Sequence, residues 1–216
     1  DQVLLRASAR VVMDAADGRL SNQLARPHVP FVPGPSRTDV VDPGRPAQQS
    51  APATTSGGGL EFFNGHGGFA AEGREYIVRT GGSLPPVPWT NVVAHESFGF
   101  ACTESGPGYT WSMNSHDNRL TPWRNDPVGD PPGEAVFIRD EDSGAFWSAT
   151  PLPAGGDRPY QTRHGQGSSV YEHRHNEIVS ELTLFVPRAD PVKVFRLALQ
   201  NTGASRRRLS VTLYAE

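Results

Sequence analysis

From residue 60 onward, short runs rich in Val, Phe, Tyr and Thr alternate with clusters of Gly, Pro, Asn and Asp. That rhythm is the signature of β-strands separated by turns. It predicts strands over 60–63, 75–79, 98–103, 109–113, 134–139, 145–148, 160–164, 169–174, 178–186, 192–200 and 208–215. The last three are the clearest. Ile178, Leu182, Leu184 and Val186 fall on one face of a strand. Leu209, Val211 and Leu213 alternate with Ser210, Thr212 and Tyr214, as the two-residue side-chain period requires. Asp140-Glu141-Asp142-Ser143-Gly144 and Asn201-Thr202-Gly203-Ala204-Ser205 have turn chemistry and are expected to close hairpins. Gly65-His66-Gly67-Gly68 reads as a tight turn, because neither a Lys-Ser/Thr pair nor a helix follows it to make a phosphate loop.

The first 59 residues break the rhythm. Over 1–26, Leu4, Ala7 and Val11 suit one face of a short helix. Over 27–59, seven prolines and a terminal Gly57-Gly58-Gly59 leave little apolar surface to offset ordering entropy, so a linker is expected. The resulting organisation is an approach segment over 1–26, a Pro/Gly-rich linker over 27–59 and an all-β antiparallel sandwich over 60–216. A strong strand running up to Glu216 suggests that the domain continues beyond it. If so, the strand 208–215 presents an unpaired edge and self-association is expected.

Composition agrees with this reading and narrows it. The chain of 216 residues holds 23 Gly and 20 Pro, about a fifth of the total, a share that fits a β-protein with many turns. A net charge of −3 is too mild for a polybasic nucleic-acid binder. Cys102 is the single cysteine, which excludes a disulfide framework within the chain. Lys193 is the single lysine, which is read as coding bias together with the absence of lysine-dependent chemistry.

The densest candidate chemistry lies over 104–133, which carries Tyr109, Trp111, Trp123, Arg119, Arg124, Asp117, Asp126 and Asp130 in a Pro/Gly-rich frame. Flat aromatic rings with Asn, Asp and Arg beside them are what a carbohydrate site needs. The same tryptophans could equally plug the sandwich, and the residues alone leave both readings open. His173 and His175, at i and i+2, are expected on a solvated strand face rather than on a metal. The Asp140, Glu141 and Asp142 run lacks the spacing of a calcium loop and reads as a solvated hairpin. No Gly-x-Ser-x-Gly elbow is present.

Longer motifs carry a resemblance. The segments FNGHGGF (63–69), EGREYIV (72–78), PWTNVVA (88–94), FGF (98–100) and ESGPGYTW (104–111) are followed by NSHDNRLTPWRNDPVGDPPGE (114–134). IRDEDSG (138–144), RHGQG (163–167) and LFVPRADPVK (184–193) complete the series, with LLRASARVV (4–12) upstream. Together they resemble the N-terminal β-sandwich of glycoside hydrolase family 94, formerly glycosyltransferase family 36, and most of all the phosphorylase-like region of cyclic β-1,2-glucan synthases.

The resemblance implies a super-sandwich of the galactose-mutarotase type preceding an (α/α)6 barrel. That barrel carries the general acid, and inorganic phosphate is the co-substrate. On that basis the parent is an enzyme acting on β-glucan. This segment is expected to be inactive alone, with no cofactor and no catalytic residue of its own. The implied partners are a β-glucan oligosaccharide, the helical barrel of the same parent chain and a second copy in a homodimer. The implied location is cytoplasmic, with the parent attached to the bacterial inner membrane through other regions. Sugar contact is assigned to Trp111, Asn118, Arg119, Thr121, Trp123 and Asn125. The alternatives are a stand-alone carbohydrate-binding module and a purely structural scaffold or dimerisation domain.

Overall fold

The computed structural model describes residues 58–81, 84–156 and 158–216. These lie in one compact unit, Ser50–Glu216. The expected helix over 1–26 falls outside the described residues, as does the linker over 27–59 apart from Gly58 and Gly59.

Twelve strands are present among the described residues: β1 (Gly67–Phe69), β2 (Glu75–Thr80), β3 (Thr90–His95), β4 (Phe98–Thr103), β5 (Pro107–Ser112), β6 (Glu134–Asp140), β7 (Phe146–Ser148), β8 (Tyr160–Gly165), β9 (Ser168–His175), β10 (Ile178–Phe185), β11 (Val194–Asn201) and β12 (Leu209–Ala215). They form a six-stranded sheet in the order β1-β2-β8-β9-β10-β11 and two three-stranded sheets, β12-β6-β7 and β3-β4-β5. Every named pairing is antiparallel.

The core lies between the large sheet and the two small ones. Tyr171, Ile178, Leu182 and Leu184 from β9 and β10 meet Val93, Phe100 and Cys102 from β3 and β4, and Val136, Ile138 and Trp147 from β6 and β7. Strict alternation on β10 sends Ile178, Ser180, Leu182 and Leu184 inward, so the sequence pattern and the buried face coincide.

Four expectations need correction. The strand expected over 60–63 is only an isolated bridge between Glu61 and Phe69, with Phe62 in the left-handed region at φ 52°. The turn expected over Gly65–Gly68 is shorter, because Gly67 and Gly68 already belong to β1, and the Asn64 amide donates to the Gly67 carbonyl at 3.0 Å. Asn201–Ser205 does not close a hairpin, because β11 pairs with β10 whereas β12 pairs with β6 in another sheet. Strand β3, absent from the sequence reading, pairs along its whole length with β4.

Two polar features are also buried rather than solvated. His173 is 3% exposed and stacks on Tyr160 at 3.7 Å, while His175 stacks on Trp147 at 4.4 Å. Asp140 is 1% exposed and accepts from Arg207 Nε at 3.0 Å and from the amides of Asp142 and Ser143. Burial works to raise the Asp140 pKa, but the Arg207 guanidinium and those amides hold it down at about 2.

Among the described residues, no group of three or more His, Cys, Asp or Glu is placed to hold a metal ion. No described helix is long and apolar enough to cross a membrane.

One glycine governs how the site strand sits. A Cβ on Gly99 of β4 would overlap the ring of Trp111 on the adjacent strand and crowd the Val93 carbonyl. Gly99→Ala is therefore expected to displace Trp111 and to cost about 1–3 kcal/mol. A fall in the denaturation midpoint with a changed near-ultraviolet circular dichroism spectrum checks this.

Candidate functional site

Strand β5 and the loop after it build the most distinctive surface of the domain. The β4–β5 register shifts between Ala101 and Cys102, which pair with Tyr109 and Pro107 and leave Gly108 as the extra residue. Such a bulge re-aims the residues that follow it. Beyond it, Thr110 points inward and is buried, while Tyr109 and Trp111 stay half-buried on the opposite face. Their rings are 5.3 Å apart.

The chain then leaves the strand at Met113 (φ 61°). Asn114 Oδ1 accepts from the amides of His116 and Asp117, which turns the chain. It returns beside β5 through an isolated bridge from Arg119 to Trp111. Trp123 then stacks on Tyr109 at 5.6 Å and 21°. The Arg119 guanidinium lies over both rings, 5.8 Å from Tyr109 and 5.4 Å from Trp123. Such cation–π contacts orient the rings as well as holding the cation. Trp123 remains 48% exposed, so a large flat ring faces solvent on a built support.

Beside that ring lies a cleft of about 190 Å³, whose walls include Tyr109, Trp123, Arg124, Asn125, Asp126 and Asp130. Asn125 adopts φ 50°, a conformation Asn tolerates better than most residues. Asp126 Oδ1 accepts from the amides of Val128 and Gly129, and these bonds lower its pKa. Asp130 accepts from Thr103 Oγ1 at 2.6 Å and from the Ser105 hydroxyl. Burial raises its pKa in spite of those two bonds.

Next to Thr103, the Glu104 carboxylate is buried and accepts from the Trp89 amide at 2.7 Å. Burial pushes its pKa up to about 7, against the hydrogen bonds from the Trp89 amide and from its own amide. The Cys102 thiol is buried and its pKa is also raised by burial, which leaves it a poor nucleophile. The cleft and its surround thus bring together a stacking face, a guanidinium, an amide and carboxylates.

Underneath, the loop is pinned into the core. Thr121 is buried; its hydroxyl accepts from the Thr110 amide and donates to Glu134 Oε1, both at 2.8 Å. The Thr110 hydroxyl also donates to Glu134. Glu134 Oε2 is 2.5 Å from Lys193 Nζ, and both side chains are only 5% exposed. The ammonium lies over Phe100 at 4.3 Å and Phe195 at 4.8 Å. The single lysine is thus a buried structural cation.

Of the six residues assigned to sugar contact, Trp123 and Asn125 line the cleft. Trp111 and Arg119 join the aromatic group behind it. Asn118 sits on the exposed outer turn, where its carbonyl accepts from the Ser112 amide. Thr121 faces inward, with its hydroxyl committed to Glu134 and Thr110. Tyr109 was not among the six, although its i, i+2 spacing from Trp111 on one strand already put both rings on the same face.

Over 221 aligned residues the chain is 40% identical to cyclic beta-(1,2)-glucan synthase NdvB of Rhizobium meliloti (strain 1021), an alignment covering 98% of the chain and 8% of that protein. It is 32% identical to N,N'-diacetylchitobiose phosphorylase of Vibrio furnissii, covering 70% of the chain and 19% of the relative. It is 26% identical to 3-O-beta-D-glucopyranosyl-beta-D-glucuronide phosphorylase of Paenibacillus borealis, covering 68% of the chain and 18% of the relative. The chain therefore spans less than a fifth of the length of each of these relatives. The family described as Glycosyl hydrolase 94, supersandwich domain, matches residues 74–216. With twelve antiparallel strands packed as stacked sheets and that match over most of its length, the chain belongs to the glycosyl hydrolase 94 family and carries its supersandwich domain.

Proposed function

We propose that this domain is the substrate-side sandwich of a carbohydrate-active enzyme of the glycoside phosphorylase or cyclic β-1,2-glucan synthase type, and that it holds glucan at the Trp123 cleft. The observation that carries the proposal is the exposed Trp123 ring, stacked on Tyr109 and capped by Arg119 beside a polar cleft. A pyranose presents an apolar face to an aromatic ring and hydroxyls to its rim. Asn125, Arg124 and Asp126 supply donors and acceptors at that rim.

In this reading the bond-making chemistry belongs to a helical barrel of the parent protein, with inorganic phosphate as co-substrate. The domain contributes binding and orientation, and the parent works in the cytoplasm, attached to the inner membrane through other regions. Homodimerisation is an accompanying proposal.

Titration of the protein with linear β-1,2-glucan, followed by tryptophan fluorescence, is expected to give saturable binding. Trp123→Ala is expected to weaken it about tenfold or more, the loss of one good stacking contact, and Arg119→Ala by a smaller factor. Unchanged affinity in a folded Trp123→Ala variant would overturn the assignment and leave the domain as scaffold.

A further inference from the structure

The chain contains one Asn-Gly pair, Asn64-Gly65, and it lies in the turn that enters β1. The Asn64 amide closes that turn by donating to the Gly67 carbonyl at 3.0 Å. Within it, Asn64 Oδ1 accepts from the amides of His66 at 3.2 Å and Gly67 at 3.1 Å. Its Nδ2 donates at 3.2 Å to the hydroxyl of Tyr76 on the neighbouring strand β2. Asn64 and Gly65 are both exposed, so water reaches them.

These bonds prepare a reaction. An oxygen held by the amides of residues 66 and 67 keeps Cγ folded forward over the backbone, against the Gly65 nitrogen. The two N–H groups draw electron density from the Cγ carbonyl and stand where an oxyanion would form on attack. Gly65 supplies the nucleophile without a side chain to shield it. Its φ is 102°, a region that glycine adopts at no steric cost. Its amide has no hydrogen-bond partner among the described residues.

Two other asparagines separate the effect of the glycine from that of the turn. Asn114 Oδ1 accepts in the same way from the amides of His116 at 2.8 Å and Asp117 at 3.0 Å. It is also exposed, but Ser115 follows it. Asn201 Oδ1 accepts from the Gly203 amide at 3.0 Å. The Thr202 amide that would attack it is committed to the Glu177 carbonyl at 2.8 Å. Of the three, Asn64 alone joins a capped oxygen to a free glycine nitrogen.

The geometry points to Asn64–Gly65 as a self-modifying site of the folded domain, at which the Asn64 side-chain amide is hydrolysed through a cyclic imide and the edge strand β1 is loosened. The Gly65 nitrogen gives its proton to solvent and bonds to Asn64 Cγ. The Cγ–Nδ2 bond breaks, and Nδ2 leaves as ammonia. Water then opens the imide: attack at Cγ yields aspartate, and attack at the backbone carbonyl carbon of Asn64 yields isoaspartate. One water is consumed and one ammonia released, with no change of oxidation state. Either product removes the Nδ2 donor from Tyr76. Isoaspartate also routes the backbone through Cγ, one carbon longer, so the turn that holds β1 at the edge of its sheet loses its fit.

Peptide mapping by mass spectrometry of the folded protein, held in warm, mildly alkaline buffer, tests this. Asn64 is expected to convert about tenfold faster than Asn114, a barrier difference of about 1.4 kcal/mol, with isoaspartate exceeding aspartate. It is also expected to convert at least as fast in the folded protein as in the urea-unfolded chain. Gly65→Ser, which gives Asn64 the neighbour that Asn114 has, is expected to bring the two rates together. Ser115→Gly makes the reciprocal exchange in an exposed turn and is expected to raise the Asn114 rate toward that of Asn64. Amide exchange across β1 is expected to quicken as isoaspartate accumulates. Conversion no faster than at Asn114, or slower in the folded protein than in urea, would overturn the site. Unchanged exchange in the isoaspartate form would overturn the loosening of β1.

Discussion

Replacing Lys193 with alanine is expected to destabilise the domain by about 3–5 kcal/mol, the usual consequence of removing one partner from a buried ion pair. The reason is geometric. Glu134 is 3% exposed and receives Lys193, Thr110 and Thr121 together. Without the ammonium its carboxylate is left charged in a site closed to water, between the large sheet and the site loop. Burial already lowers the Lys193 pKa, in spite of the attraction of Glu134, so the pair is held by its mutual fit and by the rings of Phe100 and Phe195.

The double variant Lys193→Met with Glu134→Gln is expected to recover most of the loss. It removes both charges, keeps a carbonyl oxygen for the two threonine hydroxyls and keeps an apolar stem against the phenylalanines. Denaturant unfolding of the two single variants and the double variant gives the coupling directly. A Lys193→Ala variant within about 0.5 kcal/mol of the parent would show that the pair does not hold the loop to the core.

The second large effect is on the dependence of stability on pH. His173 and His164 have pKa values lowered to about 4, in each case chiefly by burial. An imidazole whose folded pKa lies below its unfolded value of about 6.5 contributes its full stability above that value. The contribution is lost as pH falls toward 4, because the unfolded chain takes up the proton first. Glu104 acts in the opposite sense. Its folded pKa is about 7, above the ordinary carboxylate range, so the folded state takes up the proton first and gains stability as pH falls from above 7 toward 4.5.

Between about pH 7 and 4.5, protonation of Glu104 favours the folded state, but below about pH 7 the two imidazoles of the unfolded chain take up more protons than it does. Stability is therefore expected to be nearly level above about pH 7 and to fall on the acid side by a few kcal/mol by about pH 4. Asp140, with a pKa of about 2, adds a further loss only below about pH 4. Thermal melts across pH 4–9 check the profile. His173→Phe, which keeps the stack on Tyr160, should flatten the acid limb, whereas a parent profile that stays level down to pH 4 would refute the assignment.

Much of this architecture was legible in the sequence because strands announce themselves by local alternation. The bounds of β4 coincide with the expected 98–103, and Ile178, Leu182 and Leu184 lie on the face that periodicity assigned to them. Where the sequence reading missed, the deciding contacts are distant. Strand β3 is framed by Pro85, Pro86 and Pro88 and carries Val92 59% exposed. It lacks a clean apolar face and exists because β4 offers it a ladder. Part of the histidine burial could have been read, since His173 and His175 share the parity of Tyr171, which is wholly buried.

By itself, then, the sequence determined the all-β class, most strand positions, the faces they bury and the membership carried by the long motifs. Those properties depend on neighbours two to about ten residues apart, or on ordered residue identity. Tertiary structure alone decided that the turn at Asn201–Ser205 crosses to another sheet rather than closing a hairpin. It also decided that Thr121 points inward and that Lys193 lies beneath the site with Glu134, 59 residues away. The platform of Tyr109, Arg119 and Trp123 belongs to the same class. A turn sequence sets how sharply a chain reverses but not which edge it meets next. A polar side chain is buried or exposed according to whether partners from elsewhere in the chain arrive to satisfy it.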